Sequence, residues 1–161
     1  MAQIRWRRGK HPTFRGVRTR LIWSRPVGTM LVASDRVNVL STVILIVEDD
    51  LFIREMAEMT IQGLGHHTLL ASDIGEALLV IRSPQEIDVL FTDIYLKTEI
   101  HGGCNVARQA RELRPKLPVL YATGNALTEK VRAMLVEGAV CLQKPYTPDQ
   151  LTQSLAGLLA A

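Results

Sequence analysis

Three acidic residues, Glu48-Asp49-Asp50, follow directly on the apolar run Val43-Ile44-Leu45-Ile46-Val47. A second apolar run, Val89-Leu90-Phe91-Thr92, ends in Asp93. Short apolar runs of this kind read as buried strands. In an open parallel sheet, ligands bind outside the C-terminal ends of the strands. Carboxylates gathered there repel: two charges ~4 Å apart cost about 4 kcal/mol at an effective dielectric near 20. A hard divalent cation held by carboxylate oxygens offsets that cost. Acids at strand ends also cap the following helix, and Asp50 is expected to do so.

The elements that must position these acids follow a regular alternation. Apolar runs at 43–47, 68–71, 88–92, 118–121 and 139–142 read as strands. Between and after them come stripes with helical spacing. Ile53, Met56, Ala57, Thr60 and Leu64 share one helical face, with Gly63 and Gly65 as stop signals. Ile74, Ala77, Leu78 and Ile81 make the next stripe, with Asp73 as its N-cap and its end before Pro84. Val106, Ala110 and Leu113 make a third, ending before Pro115. Leu127, Val131, Met134 and Leu135 make a fourth, closed by Gly138; Leu151, Leu155, Leu158 and Leu159 make a fifth after Pro148. Five strands alternating with five helices predict an α/β fold, a doubly wound parallel sheet with helices on both faces. Near-continuous apolar strands fit a sheet covered on both sides.

Every strand exit then points to one edge. The first delivers Glu48, Asp49 and Asp50; the third, Asp93; the fourth, Thr123; the fifth, Lys144. The second offers only Ser72 and Asp73, a turn and a cap. Alone, Thr123 before Gly124 reads as a turn residue and Lys144 as a solvated charge. Together, acids from neighbouring strands call for a cation, and a lysine with a hydroxyl suits a phosphate.

At these residues the chain resembles the receiver domain of two-component response regulators, the CheY-like family. The resemblance rests on Glu48-Asp49, Asp93, Thr123 and Lys144-Pro145, in order and with family-like spacing, and spans roughly residues 43–160. Arg54, five residues past Asp49, fixes the acidic pair as Glu48-Asp49 and leaves Asp50 outside it. The resemblance implies strand order 2-1-3-4-5. It implies that Asp93 is the phosphoacceptor, phosphorylated by a sensor histidine kinase or a histidine phosphotransfer protein. It implies Mg²⁺, held by Asp49, Asp93, the Tyr95 backbone carbonyl and, through water, Glu48. Lys144 would pair with one phosphoryl oxygen and Thr123 would hydrogen-bond another, acting as the switch. A cis Lys144–Pro145 bond would aim the lysine inward. Catalysis would be limited to self-phosphorylation and autodephosphorylation.

The chain departs from the common pattern in the loop after Asp93, Ile-Tyr-Leu-Lys-Thr-Glu-Ile-His-Gly. Lys97 stands where a proline is usual, the loop is one residue longer than in the best-known members, and His101 takes a usual acidic position. Cys141 lies near the place of a common switch aromatic, which leaves the usual coupling from threonine to aromatic open. Tyr121-Ala122-Thr123-Gly124 resembles the Phe-Ala-Thr-Gly motif of some short stand-alone receivers. The last stripe closes the sequence, so the resemblance implies a single-domain receiver that docks to a downstream protein or passes phosphate along a relay.

Charge divides the chain. Residues 1–40 carry nine Lys/Arg and one acid, a net of +8; residues 41–161 carry ten Lys/Arg and fifteen acids, a net of −5. The first segment is expected to be a poorly ordered basic extension, and residues 41–161 the receiver domain. The extension is either a solvated tail or a nucleic-acid-binding module, and a start at Met30 would leave a compact remainder. No apolar h-region follows its arginines, so no signal peptide is expected. No run is long enough to span a bilayer. Cys104 and Cys141 make no metal-type spacing, and a reducing cytoplasm is the expected setting. A haloacid-dehalogenase-type phosphatase also uses an aspartate after a strand with Mg²⁺, but needs a second acid where Tyr95 stands. A dinucleotide site needs a glycine-rich turn, which Glu48-Asp49-Asp50-Leu51-Phe52 lacks. His66 and His67 are expected to face solvent. Phe52, Arg54 and Tyr146 lie near the active edge and suit either a kinase-docking surface or an ordinary core or surface role.

Overall fold

The computed structural model describes residues 41–97 and 99–160. The basic extension, residues 1–40, lies outside the described residues.

Five strands alternate with five helices: β1 Val43–Val47, α1 Leu51–Gly63, β2 His67–Ala71, α2 Ile74–Arg82, β3 Val89–Asp93, α3 Gly102–Leu113, β4 Val119–Thr123, α4 Glu129–Arg132, β5 Val140–Gln143 and α5 Pro148–Leu159. The strands form one parallel sheet in the order β2-β1-β3-β4-β5. This is the doubly wound fold the alternation predicts.

Side chains alternate across the pleat, so each strand serves two cores. Ile44 and Ile46 of β1, Val89 and Phe91 of β3, and Leu120 and Ala122 of β4 meet Ala57 and Ile61 of α1 and Leu151, Leu155 and Leu158 of α5. Leu45, Val47, Leu90, Val119 and Tyr121 point the other way, onto Ala77 and Ile81 of α2 and Cys104, Val106, Ala107 and Ala110 of α3. Burial on both faces is why the central strands read as continuous apolar runs.

Local chemistry sets the helix starts. Asp50 caps α1, accepting from the Phe52 and Ile53 N–H groups at 3.0 and 3.2 Å. Asp73 caps α2, accepting from Glu76 N–H at 2.9 Å. Thr147 and Gln150 form a reciprocal capping box ahead of α5, with Pro148 in its first turn. Gly65, at φ 88°, turns the chain from α1 into β2.

Three expectations are corrected, and one alternative is decided. The fourth stripe yields one turn, Glu129–Arg132, rather than a helix to Gly138. Met134, Leu135 and Val136 are consecutive, and a helix would turn one of them to solvent; in the irregular segment past that turn all three pack half-buried against the core. Leu64 and Leu113 leave their stripes: both sit at helix ends and are exposed, Leu113 by 56%. Ile61 and Ala107 carry the burial instead. His66 is buried rather than solvent-facing, because its Nδ1 lies 2.9 Å from Thr42 Oγ1 under the start of β1. Of the roles open to Tyr146, the structure shows the core one: it is buried, edge-on to Phe91 at 6.1 Å.

Candidate functional site

The parallel order brings four strand exits to one edge. An open cleft of about 400 Å³ there is lined by Glu48, Asp49, Asp93, Tyr95, Lys97 and Lys144, among others. Glu48, Asp49 and Asp93 each bring a carboxylate oxygen within 4.8 Å of the others. These are the three acids expected as metal ligands, and Asp50 stands apart as the helix cap.

Lys144 reaches this cluster from the end of β5. Its Nζ lies 2.6 Å from Glu48 Oε2 and 2.6 Å from Asp93 Oδ2. The Lys144–Pro145 peptide is cis. Burial works against the ammonium, but hydrogen bonds to Asp93 and Glu48 together with the negative charge of both acids outweigh it and hold Lys144 above the ordinary lysine value. Burial pushes the Glu48 carboxyl up, while the Lys144 hydrogen bond pulls it down.

Backbone groups orient the acids. Asp93 Oδ1 accepts from the Tyr95 N–H at 3.1 Å, leaving Oδ2 to Lys144. Asp49 Oδ2 accepts from the Lys97 N–H at 2.7 Å. Arg54 Nη1 donates to the Glu48 carbonyl at 2.6 Å, pinning the peptide between the two acids. Gly103 lets α3 close on the site: a Cβ there would lie 1.8 Å from the Asp93 carbonyl oxygen.

Thr123 is buried at the end of β4, one residue past the register partner of Asp93. Its hydroxyl faces its own loop, donating to the Asn125 carbonyl at 3.1 Å and accepting from the Asn125 N–H at 3.2 Å. The acids, Tyr95 and Lys144 are thus brought together, whereas the Thr123 hydroxyl is engaged by the loop beyond.

Comparisons with known proteins identify the family. The family model for the response regulator receiver domain matches residues 44–156. The chain belongs to that family. It is 34% identical over 114 residues to the sensor histidine kinase RcsC of Salmonella typhi, a match covering 70% of this chain and 12% of that protein. It is 31% identical over 121 residues to the response regulator MprA of Mycobacterium bovis BCG, covering 74% of this chain and 51% of that one. The chain therefore matches about half the length of MprA and a small part of RcsC. A receiver protein from Sinorhizobium medicae superposes with TM-score 0.69 at 30% identity, over 76% of this chain and 97% of its own. The chemotaxis regulator CheY4 of Vibrio cholerae gives 0.64 at 27%, over 73% and 98%.

Receiver domains are signalling modules of two-component systems that interact with histidine kinases. Phosphorylation and Mg²⁺ binding at an acidic pocket are typical of them. The family assignment displaces the phosphatase alternative. The nucleic-acid alternative concerns residues 1–40, outside the described residues. Among the described residues no helix is long and apolar enough to cross a membrane.

Two contacts were missing from the sequence reading. The Tyr95 and Lys97 N–H bonds to the acids are backbone geometry with no residue signature. The Gly102-Gly103 pair at a helix start was a readable sign of close backbone approach.

Proposed function

We propose that the chain works as a response-regulator receiver that accepts a phosphoryl group on Asp93 and signals by docking to another protein or by passing the phosphate on. The donor is a sensor histidine kinase or a histidine phosphotransfer protein. One observation carries the reading: the Asp93 carboxylate sits at the cleft with Oδ2 on Lys144 Nζ and Glu48 and Asp49 alongside.

Phosphoryl transfer asks the protein for positioning and charge neutralisation more than for covalent help. An Asp93 oxygen bonds to phosphorus as the bond from phosphorus to the donor's imidazole nitrogen breaks. The Tyr95 N–H holds the carboxylate's other oxygen and fixes its plane. Lys144 then pairs with a phosphoryl oxygen in place of the carboxylate.

The donor set fits Mg²⁺. Lys144 touches Glu48 and Asp93, and the exposed Lys97 ammonium lies 3.8 Å from Asp49, so three carboxylates face two ammoniums and negative charge is left over at short range. Glu48, Asp49, Asp93 and the Tyr95 carbonyl would hold the ion, Glu48 through water. Bound there, it neutralises charge on the phosphoryl oxygens.

Thr123 serves as the switch. Turning toward the site, its hydroxyl stops donating to the Asn125 carbonyl and accepting from the Asn125 N–H and donates to a phosphoryl oxygen instead, which frees the loop ahead of α4.

The test is acetyl phosphate with Mg²⁺, read by intact mass. Wild type gains one phosphoryl group, and Asp93→Asn gains none. Should wild type stay unmodified by acetyl phosphate and also by the histidine kinases of its own organism, the reading is wrong.

A further inference from the structure

The loop after β3 places a second cation on the acids. The Lys97 N–H donates to Asp49 Oδ2 at 2.7 Å, and the Lys97 Nζ lies 3.8 Å from that same oxygen. The two contacts differ in kind. The backbone around Lys97 is tied down: Leu96 is buried, the Glu99 N–H donates to the Leu96 carbonyl at 2.9 Å, and the Gly102 N–H donates to the Glu99 carbonyl at 3.0 Å. The Lys97 side chain is 75% exposed, whereas that of Asp49 is 15% exposed. A long, flexible ammonium therefore covers a half-buried carboxylate and can leave without moving the loop.

We propose that the Lys97 ammonium is a resident counter-ion of Asp49 that competes with the divalent cation, so that this one side chain sets how much Mg²⁺ the domain requires. The proposal rests on the reading of Asp49 as a metal ligand. A dication arriving at Asp49 meets a like charge within a few ångströms, and the ammonium must swing into solvent. That displacement is cheap, because an exposed pair is worth little and is screened by salt. Its removal is expected to tighten Mg²⁺ binding by about threefold, the range of an exposed pair.

The experiment is a Mg²⁺ titration of the full chain followed by the backbone amide shifts of Asp49 and residue 97, with no phosphoryl donor present. Lys97→Ala keeps the backbone N–H and removes the ammonium; it is expected to bind about threefold tighter than wild type. Lys97→Arg restores the charge and returns the wild-type affinity. Lys116→Ala, which removes an equal charge before β4 at the opposite edge of the sheet, leaves affinity unchanged. If Lys97→Ala binds no tighter, or if Lys116→Ala tightens binding equally, the counter-ion role is refuted while the metal site stands. If wild type shows no saturable Mg²⁺ response and Asp49→Asn behaves identically, the metal reading itself fails and takes this proposal with it.

Discussion

Replacing Gly103 with alanine adds one methyl group, and its cost follows from the site's geometry. The new Cβ would lie 1.8 Å from the Asp93 carbonyl oxygen, 2.8 Å from the Asp93 carbonyl carbon and 2.9 Å from Thr92 Oγ1. An ordinary carbon-to-oxygen approach is about 3.3 Å. Helix and strand must therefore part by roughly 1.5 Å, which follows from that same approach distance. Both are buried backbone, so no side chain can simply rotate aside. Overpacking of this kind costs about 3 kcal/mol, the upper end of the usual range. Against it stands the alanine preference of a helix, about 1 kcal/mol at most. The net loss is about 2 kcal/mol. Gly157 in α5 is the control, since nothing lies within 4 Å of its Cβ position. Gly157→Ala is expected to gain about 0.5–1 kcal/mol. Urea unfolding of both variants reads the contrast, with midpoints displaced in opposite directions from wild type. Gly103→Ala is also expected to accept phosphate poorly, because the strand that moves carries Asp93. Wild-type stability and wild-type phosphorylation in Gly103→Ala would refute the reasoning.

Two further predictions concern the scaffold. Thr147→Ala removes one half of the capping box and is expected to cost about 1 kcal/mol in urea unfolding without changing Mg²⁺ affinity; an unchanged midpoint would show that Pro148 alone starts α5. Burial pushes the Cys104 thiol up from 9.0 to about 11. The folded chain then keeps a proton that the unfolded chain loses, so stability falls as pH rises through that window. Cys104→Ala removes this part of the slope, and equal pH slopes in the two proteins would count against the buried thiol.

The sequence showed the fold because five apolar runs alternate with four clear helical stripes, and because Asp50, Asp73 and Pro148 announce their helices. The convergence was legible for the same reason: parallel strands deliver their ends to one edge, and Asp93 is a last residue, Glu48 and Lys144 are next residues, and Asp49 follows Glu48. What stayed hidden depends on distances across the chain. His66 is polar, and only its partner Thr42 explains its burial. Arg54 lies six residues from the carbonyl it holds, and nothing in its type names that target. The rotamer of Thr123, turned to Asn125, is set by the loop and not by the residue. The fourth stripe has helical spacing, yet three successive apolar side chains needed burial at once, and packing overrode the period.

The shortness of α4 has a consequence for the energy of signalling. The stretch from Asn125 to Ala139 keeps few backbone bonds of its own beyond one helical turn and a pair of reverse turns. Side-chain packing of Val131, Met134, Leu135 and Val136 on the core, more than backbone bonding, holds it in place. Thr123 is the last strand residue before it. A phosphoryl group therefore need not melt a long helix to be felt. On the function proposed above, it has only to shift how this segment packs, and the population moved is set by its differential affinity for the two arrangements.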